Sequence, residues 1–331
     1  MIRILLLFIP VLMLVVLANL GQLYRWARWL TYGVLLAMAA VTLAAGIGAL
    51  LYRGPLPDVL LPAGLELNLT GLGQWLVLGG ALALAPVVAA LVAQVARRPL
   101  RLGHVDWGQP LPLTAVVLAI LFTALNLAQS ALIANAEELA ASGSQLGIAE
   151  LGAQAAAFVM LGVLGVGFGI RRNGRATLAR LGVRAVVLPG DAVAVAAATL
   201  GMLTMSILVG GILAVVAPES VANATALNKL IIGAISTPAG AILLGLFSGI
   251  GEEVLYRGAL QPAFGLWGAS LLFALHHVQY LNYALAVVFL LGLALGWIRN
   301  HYGTTVAAGV HATYNTTLIL IALASTGLTP R

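Results

Sequence analysis

The residues best suited to chemistry fall in the last third of the chain, in three short clusters. The first is Glu252-Glu253-Val254-Leu255-Tyr256-Arg257. On a helix, Glu253 and Arg257 are four residues apart on one face and pair as ions, whereas Glu252 points about 100° away and is left unpaired. A carboxylate answered by a guanidinium is a structural device; a free one beside it can act as a general base. The second cluster is Phe273-x-x-x-His277, again one helical face, with His276 turned aside. The third is His311-x-x-x-Asn315, an imidazole and an amide at the same spacing. A free carboxylate able to act as a base, two imidazoles and an amide are thus combined in one stretch from 252 to 315.

These polar residues sit in apolar surroundings, where an ionisable side chain costs on the order of 2.5 to 3.5 kcal/mol at mid-bilayer. Helices in a membrane turn such stripes inward to a shared cavity, where water and partner groups offset the burial. The bland readings differ from residue to residue. Glu137-Glu138 has no basic residue at the fourth or fifth position beyond it and reads as a solvated helix end in an exterior loop. His104, beside a basic loop, and His301, in the polar turn Arg299-Asn300-His301-Tyr302-Gly303, read as ordinary polar residues. Glu252-Glu253-Arg257 alone would also suit a purely structural ion-pair cluster. The combination between residues 252 and 315 favours chemistry.

The elements that must position these groups are membrane helices. Of 331 residues, 62% are hydrophobic and 8% charged, with a mean hydropathy of +1.06. An ordinary soluble domain has about 25% charged residues, so a soluble globular protein is excluded. Apolar runs long enough to span occur near 4–22, 30–52, 73–96, 112–136, 151–170 and 192–216, then near 231–250, 264–281, 282–298 and 304–325. They predict an all-α, polytopic transmembrane bundle of about nine or ten helices. The net charge of +6 does not signal nucleic acid, because the arginines cluster in short loops between apolar runs.

The loops alternate in sign. Arg25 and Arg28, then Arg97, Arg98 and Arg101, then Arg171, Arg172, Arg175, Arg180 and Arg184 mark cytoplasmic loops; Asp58 and Glu66, then Glu137 and Glu138, mark exterior ones. The region of Glu252 therefore opens toward the cytoplasm. Arg3 before an apolar stretch and Val16-Leu17-Ala18 also resemble a signal peptide, but Arg25 and Arg28 just beyond would resist export, which favours an uncleaved first span. The stretch 171–184 is either a positive-inside loop joining two bundles or a basic amphipathic helix on anionic lipid. It divides plain spans from polar-bearing ones. Gly165-x-x-x-Gly169, Gly245-x-x-x-Gly249 and Gly292-x-x-x-Gly296 read as intramolecular helix packing. With no cysteine, thiol nucleophiles and thiolate metal sites are excluded.

The three clusters, in this order and spacing, resemble the CPBP family of intramembrane proteases, which contains the CAAX prenyl endopeptidases of the Ras-converting type and the Abi-like proteins. The family pattern is E-E-x-x-x-R, F-x-x-x-H, H-x-x-x-N, and the resemblance extends over roughly 145–325. It implies a protease core at 144–331 after N-terminal spans, 1–143, of unassigned role. It implies peptide-bond hydrolysis, with Glu252 assisted by His277 activating water and His311 and Asn315 donating to the oxyanion. Glu253, Arg257 and Phe273 would hold or orient the site, and Arg257 would contact a substrate carboxylate. The glutamate-and-water mechanism needs no cofactor; zinc on Glu252, His277 and His311 is the alternative, although the helical signature His-Glu-x-x-His is absent. The implied partners are membrane lipid and a hydrophobic or lipidated peptide, in a bacterial cytoplasmic membrane. Aspartyl and rhomboid-type chemistry fit worse: the aspartates are Asp58, Asp106 and Asp191, none in Gly-x-Gly-Asp, and Gly245-Leu246-Phe247-Ser248-Gly249 is not Gly-x-Ser-Gly. Two other functions compete: an ion- or proton-coupled transporter, and a non-catalytic binding or immunity protein on the same scaffold.

Overall fold

The computed structural model describes residues 2–52, 68–102, 105–132, 147–184, 188–219, 221–222, 225, 237–277 and 283–325. The expectations for Asp58, Glu66, His104, Glu137 and Glu138 fall outside these residues. The chain is helical, as its composition requires. In order it forms α1 (Ile2–Leu20), α2 (Arg25–Leu51), α3 (Leu69–Val95), a two-residue antiparallel pair β1 (Arg101–Leu102) and β2 (Val105–Asp106), and α4 (Pro110–Leu132). There follow α5 (Ile148–Gly165), α6 (Gly174–Leu181), α7 (Pro189–Val216), α8 (Pro238–Glu253), a π-helical segment Val254–Leu260, α9 (Gln261–His276), α10 (Tyr283–Tyr302) and α11 (Thr304–Ser325). Each of the ten apolar runs coincides with one long helix, and the basic stretch holds the short α6. Among the described residues, eight helical stretches are long and apolar enough to cross a membrane, with 238–276 counted as one. Side chains on α7 such as Ile207, Leu208, Ile212 and Val215, the last 82% exposed, form a face that only lipid would tolerate. This is a multi-pass membrane protein.

The chain divides into two compact units, Leu17–Ser144 and Met1–Val16 with Gln145–Arg331. In the first, α2, α3 and α4 pack on one another, and the buried Tyr32 hydroxyl donates to the Gly108 carbonyl at 2.6 Å. Asp106 is consumed structurally, accepting from the Leu100 and Gly108 amides at 3.2 and 3.1 Å.

In the second unit, side-chain caps start the helices where the sequence supplies them. Asn173 accepts from the Ala176 amide at 2.9 Å to open α6, and Thr237 accepts from Gly240 at 3.0 Å, just before Pro238, to open α8. The apolar core joins α7, α10 and α11 through Met202, Leu295, Ile298, Val306, Val310 and Tyr314. Gln261 ties α9 to α10, its amide donating to the Gly296 carbonyl at 2.8 Å and to Asn300 at 2.9 Å. These contacts fix α10 and α11, and with them the frame on which the third cluster stands.

Candidate functional site

Two glycines bring the carboxylate helix against the helix of the third cluster. A Cβ on Gly245 would lie 2.2 Å from Thr316 Oγ1 and 2.5 Å from the Ala312 carbonyl; one on Gly249 would lie 2.7 Å from the Ala308 carbonyl. Only glycine allows α8 and α11 to approach so closely. The Gly245-x-x-x-Gly249 stripe is thus an intramolecular packing face.

Across this contact run two polar links. Glu253 Oε1 meets His311 Nδ1 at 3.0 Å, and one turn earlier Asn315 Nδ2 donates to Ser248 Oγ at 2.8 Å. Glu253 also faces Arg257, Nε to Oε2 at 3.1 Å, and both side chains are fully buried. The Glu253–Arg257 pair is therefore a triad with His311. Because a carboxylate only accepts, His311 donates from Nδ1 and turns Nε2 away from Glu253.

Arg257 stands in the π-helical segment, whose wider turn follows directly on Glu253. Such segments are energetically poor and recur at functional sites. The ring of Phe273 lies 4.7 Å from the guanidinium carbon of Arg257 and also contacts Tyr256, His277 and His311, at centroid distances of 5.4, 4.8 and 5.9 Å. Phe273 is the apolar hub that sets the spacing of the charged groups. His276 is engaged with the Tyr256 hydroxyl at 2.9 Å.

Glu252 and His277 are the accessible members, with side chains 13% and 20% exposed. His277 Nδ1 donates to the Phe273 carbonyl at 2.9 Å, which leaves Nε2 directed at Glu252 Oε2 across 3.8 Å. That gap is too long for a direct hydrogen bond and suits two groups that share one water. Glu252 Oε2 is buried without a hydrogen-bond partner among the described residues. Glu252 also lines a recess of about 40 Å³, with Ser248 and Phe247 of α8 and Gln154, Ala155 and Phe158 of α5. The volume accommodates a few waters. Of the four expected catalytic side chains, Glu252 alone is among the described residues that line it.

The sequence reading missed Ser248, Gln154 and Tyr256. Ser248 lies one helical turn before Glu252, so the face argument that joined Glu253 to Arg257 reaches it too. Gln154 is an amide within an apolar run, and its cost there is the signal. Elsewhere His301 is bonded to the Trp297 carbonyl and stacked on its ring, consistent with an ordinary polar residue.

Among the described residues no three His, Asp or Glu side chains are grouped as a metal ion requires.

Residues 234–317 match the family model described as type II CAAX prenyl endopeptidase Rce1-like. This is narrower than the 145–325 read from the motifs, and contains all three clusters. The chain is also 44% identical over 80 residues to the uncharacterized protein YpbD of Bacillus subtilis (strain 168), covering 22% of this chain and 42% of the relative. The matched region thus spans less than half of that relative's length. No solved structure gives a significant match. The geometry of the three clusters and the family match fall on the same residues, and 234–317 is a Rce1-like domain.

Proposed function

We propose that this protein is an intramembrane endopeptidase that hydrolyses a peptide bond of a hydrophobic or lipidated membrane substrate with a glutamate-activated water. The observation that carries the reading is the 3.8 Å gap between Glu252 Oε2 and His277 Nε2, with Glu252 also lining a recess large enough for water and the buried Glu253–Arg257–His311 group beside it. A water in that gap donates one hydrogen to Glu252 and is held by His277 Nε2. As its oxygen attacks the scissile carbonyl, the proton passes to Glu252. When the tetrahedral intermediate collapses, Glu252 returns it to the departing amine, leaving one carboxylic acid and one amine per water consumed.

The oxyanion is received by the second amide hydrogen of Asn315, the first being engaged with Ser248, and by His311 Nε2. His311 can donate there only if it carries protons on both nitrogens. In that state Glu252, Glu253, Arg257 and His311 sum to zero charge, the balance that a low-dielectric interior favours. Among the described residues no three of these donors are grouped as a zinc site requires, and no step is routed through one.

The protease core is 144–331, opening to the cytoplasmic face of a bacterial membrane by the arginine pattern of the loops, with 1–143 outside the chemistry. The test is mass-spectrometric detection of new peptide termini when the purified protein, in lipid nanodiscs, is given hydrophobic and prenylated peptides. Cleavage in H₂¹⁸O should place one label in the new carboxylate. Absence of any cleavage across such a set refutes the reading.

A further inference from the structure

The basic stretch that the proposed chemistry leaves unused is drawn into one place by the fold. Arg172 follows α5, Arg180 lies on α6, and Arg299 is in the last turn of α10. The junction that gathers them is specific. Gly182 closes α6 with φ of 68°, a left-handed turn that favours glycine, and its carbonyl accepts from the Thr304 amide at 2.9 Å. The Leu181 carbonyl accepts from the Thr304 hydroxyl at 2.5 Å. α6 is thereby fastened to the turn between α10 and α11, and Arg299 Nη2 comes within 3.9 Å of where a Gly182 Cβ would stand.

The gathered charge is poorly answered. Arg184 has a carboxylate, Asp191, at 2.8 Å. Arg180 instead donates to a neutral carbonyl, that of Gly258, at 3.1 Å, and Arg172 to the carbonyl of Val166. Arg299 reaches the Asn300 side-chain oxygen at 3.3 Å, and its Nε is buried without a hydrogen-bond partner among the described residues. Burial, with Arg172, Arg299 and Arg171 nearby, holds the Arg180 guanidinium below its ordinary value. Around this cluster Phe168, Leu178, Trp297 and Tyr302 are between 42% and 52% exposed, a border of apolar and aromatic side chains typical of a membrane interface.

We infer that Arg172, Arg180 and Arg299 form a binding site for the phosphate of an anionic lipid headgroup, with Leu178 and Trp297 against its acyl chains. A solvated positive-inside loop would spread its arginines into water. Here three separate segments converge, part-buried, with neutral partners where an anion would complete them. The inference is independent of the proteolytic reading. Because Arg180 bonds to the π-helical segment that carries Arg257, an occupied site would also steady that segment.

The test is native mass spectrometry of the full chain in detergent, titrated with phosphatidylglycerol and with phosphatidylcholine of the same acyl chains. Wild type should retain the anionic lipid in preference. Arg172→Gln/Arg299→Gln should lower that preference about thirtyfold, from about 1 kcal/mol for each arginine removed. Arg97→Gln/Arg98→Gln, which removes the same charge elsewhere, should leave it unchanged, and Arg299→Lys should retain most of it. Equal losses in the two double variants, or no lipid preference in wild type, overturn the site. So does inorganic pyrophosphate binding to the cluster without lipid selectivity.

Discussion

His311 donates from Nδ1 to Glu253 at 3.0 Å, joining residues 58 positions apart inside a buried cluster. Glu253 therefore serves two donors, Arg257 in the π-helical segment that follows it and His311 across the helix contact, and Glu252 is left to face the recess. Adjacent glutamates thus have opposite environments, one fully buried and partnered, the other part-exposed. Their substitution should have opposite consequences.

Glu253→Gln leaves Arg257 buried without its counter-charge. Loss of one partner of a buried pair costs about 3 to 5 kcal/mol. The variant should unfold at markedly lower temperature or denaturant than wild type in the same detergent, whereas Glu252→Gln should unfold within about 1 kcal/mol of wild type. Restored stability in Glu253→Gln/Arg257→Met would confirm that the stranded charge is the cause.

Asn315→Ala should reduce turnover about 100- to 1,000-fold, the usual effect of losing one oxyanion donor. Ser248→Ala should reduce kcat about three- to tenfold with KM little changed, because it releases only the hydrogen bond that orients the Asn315 amide. Rescue by Ser248→Thr, which restores a hydroxyl, separates this positioning role from a packing defect.

Phe273→Leu removes the ring that lies 4.7 Å from the Arg257 guanidinium carbon and should cost about 0.5 to 2 kcal/mol of stability. Phe273→Ala, which also leaves a cavity, should cost about 3 to 5 kcal/mol. Denaturation curves of the two variants measure the difference directly.

Treatment with EDTA or 1,10-phenanthroline should leave the cleavage rate within about twofold of the untreated enzyme, because the base is Glu252 itself. A rate that falls with chelator and returns with added zinc would contradict the assignment.

The helices were legible because apolar runs of membrane length have few alternatives, and each of the ten coincides with a helix. The Glu253–Arg257 pairing was legible for a local reason, an i,i+4 spacing. Contacts between helices were not. Neither His311 with Glu253 nor Asn315 with Ser248 follows from any spacing, because both depend on the rotation that Gly245 and Gly249 set between α8 and α11. The π-helical segment was likewise hidden, since no residue in Val254–Leu260 announces a wider turn. The hairpin between α3 and α4 was too short to produce an alternating pattern.

The central claim is that Glu252 activates the water. Its most direct test is the initial rate of peptide-bond cleavage by Glu252→Gln against wild type, on one peptide identified as a substrate, with both proteins shown to unfold alike. The account predicts a fall of at least about 100-fold, the low end of what a general base supplies. A Gln variant that cleaves at the wild-type rate would contradict it.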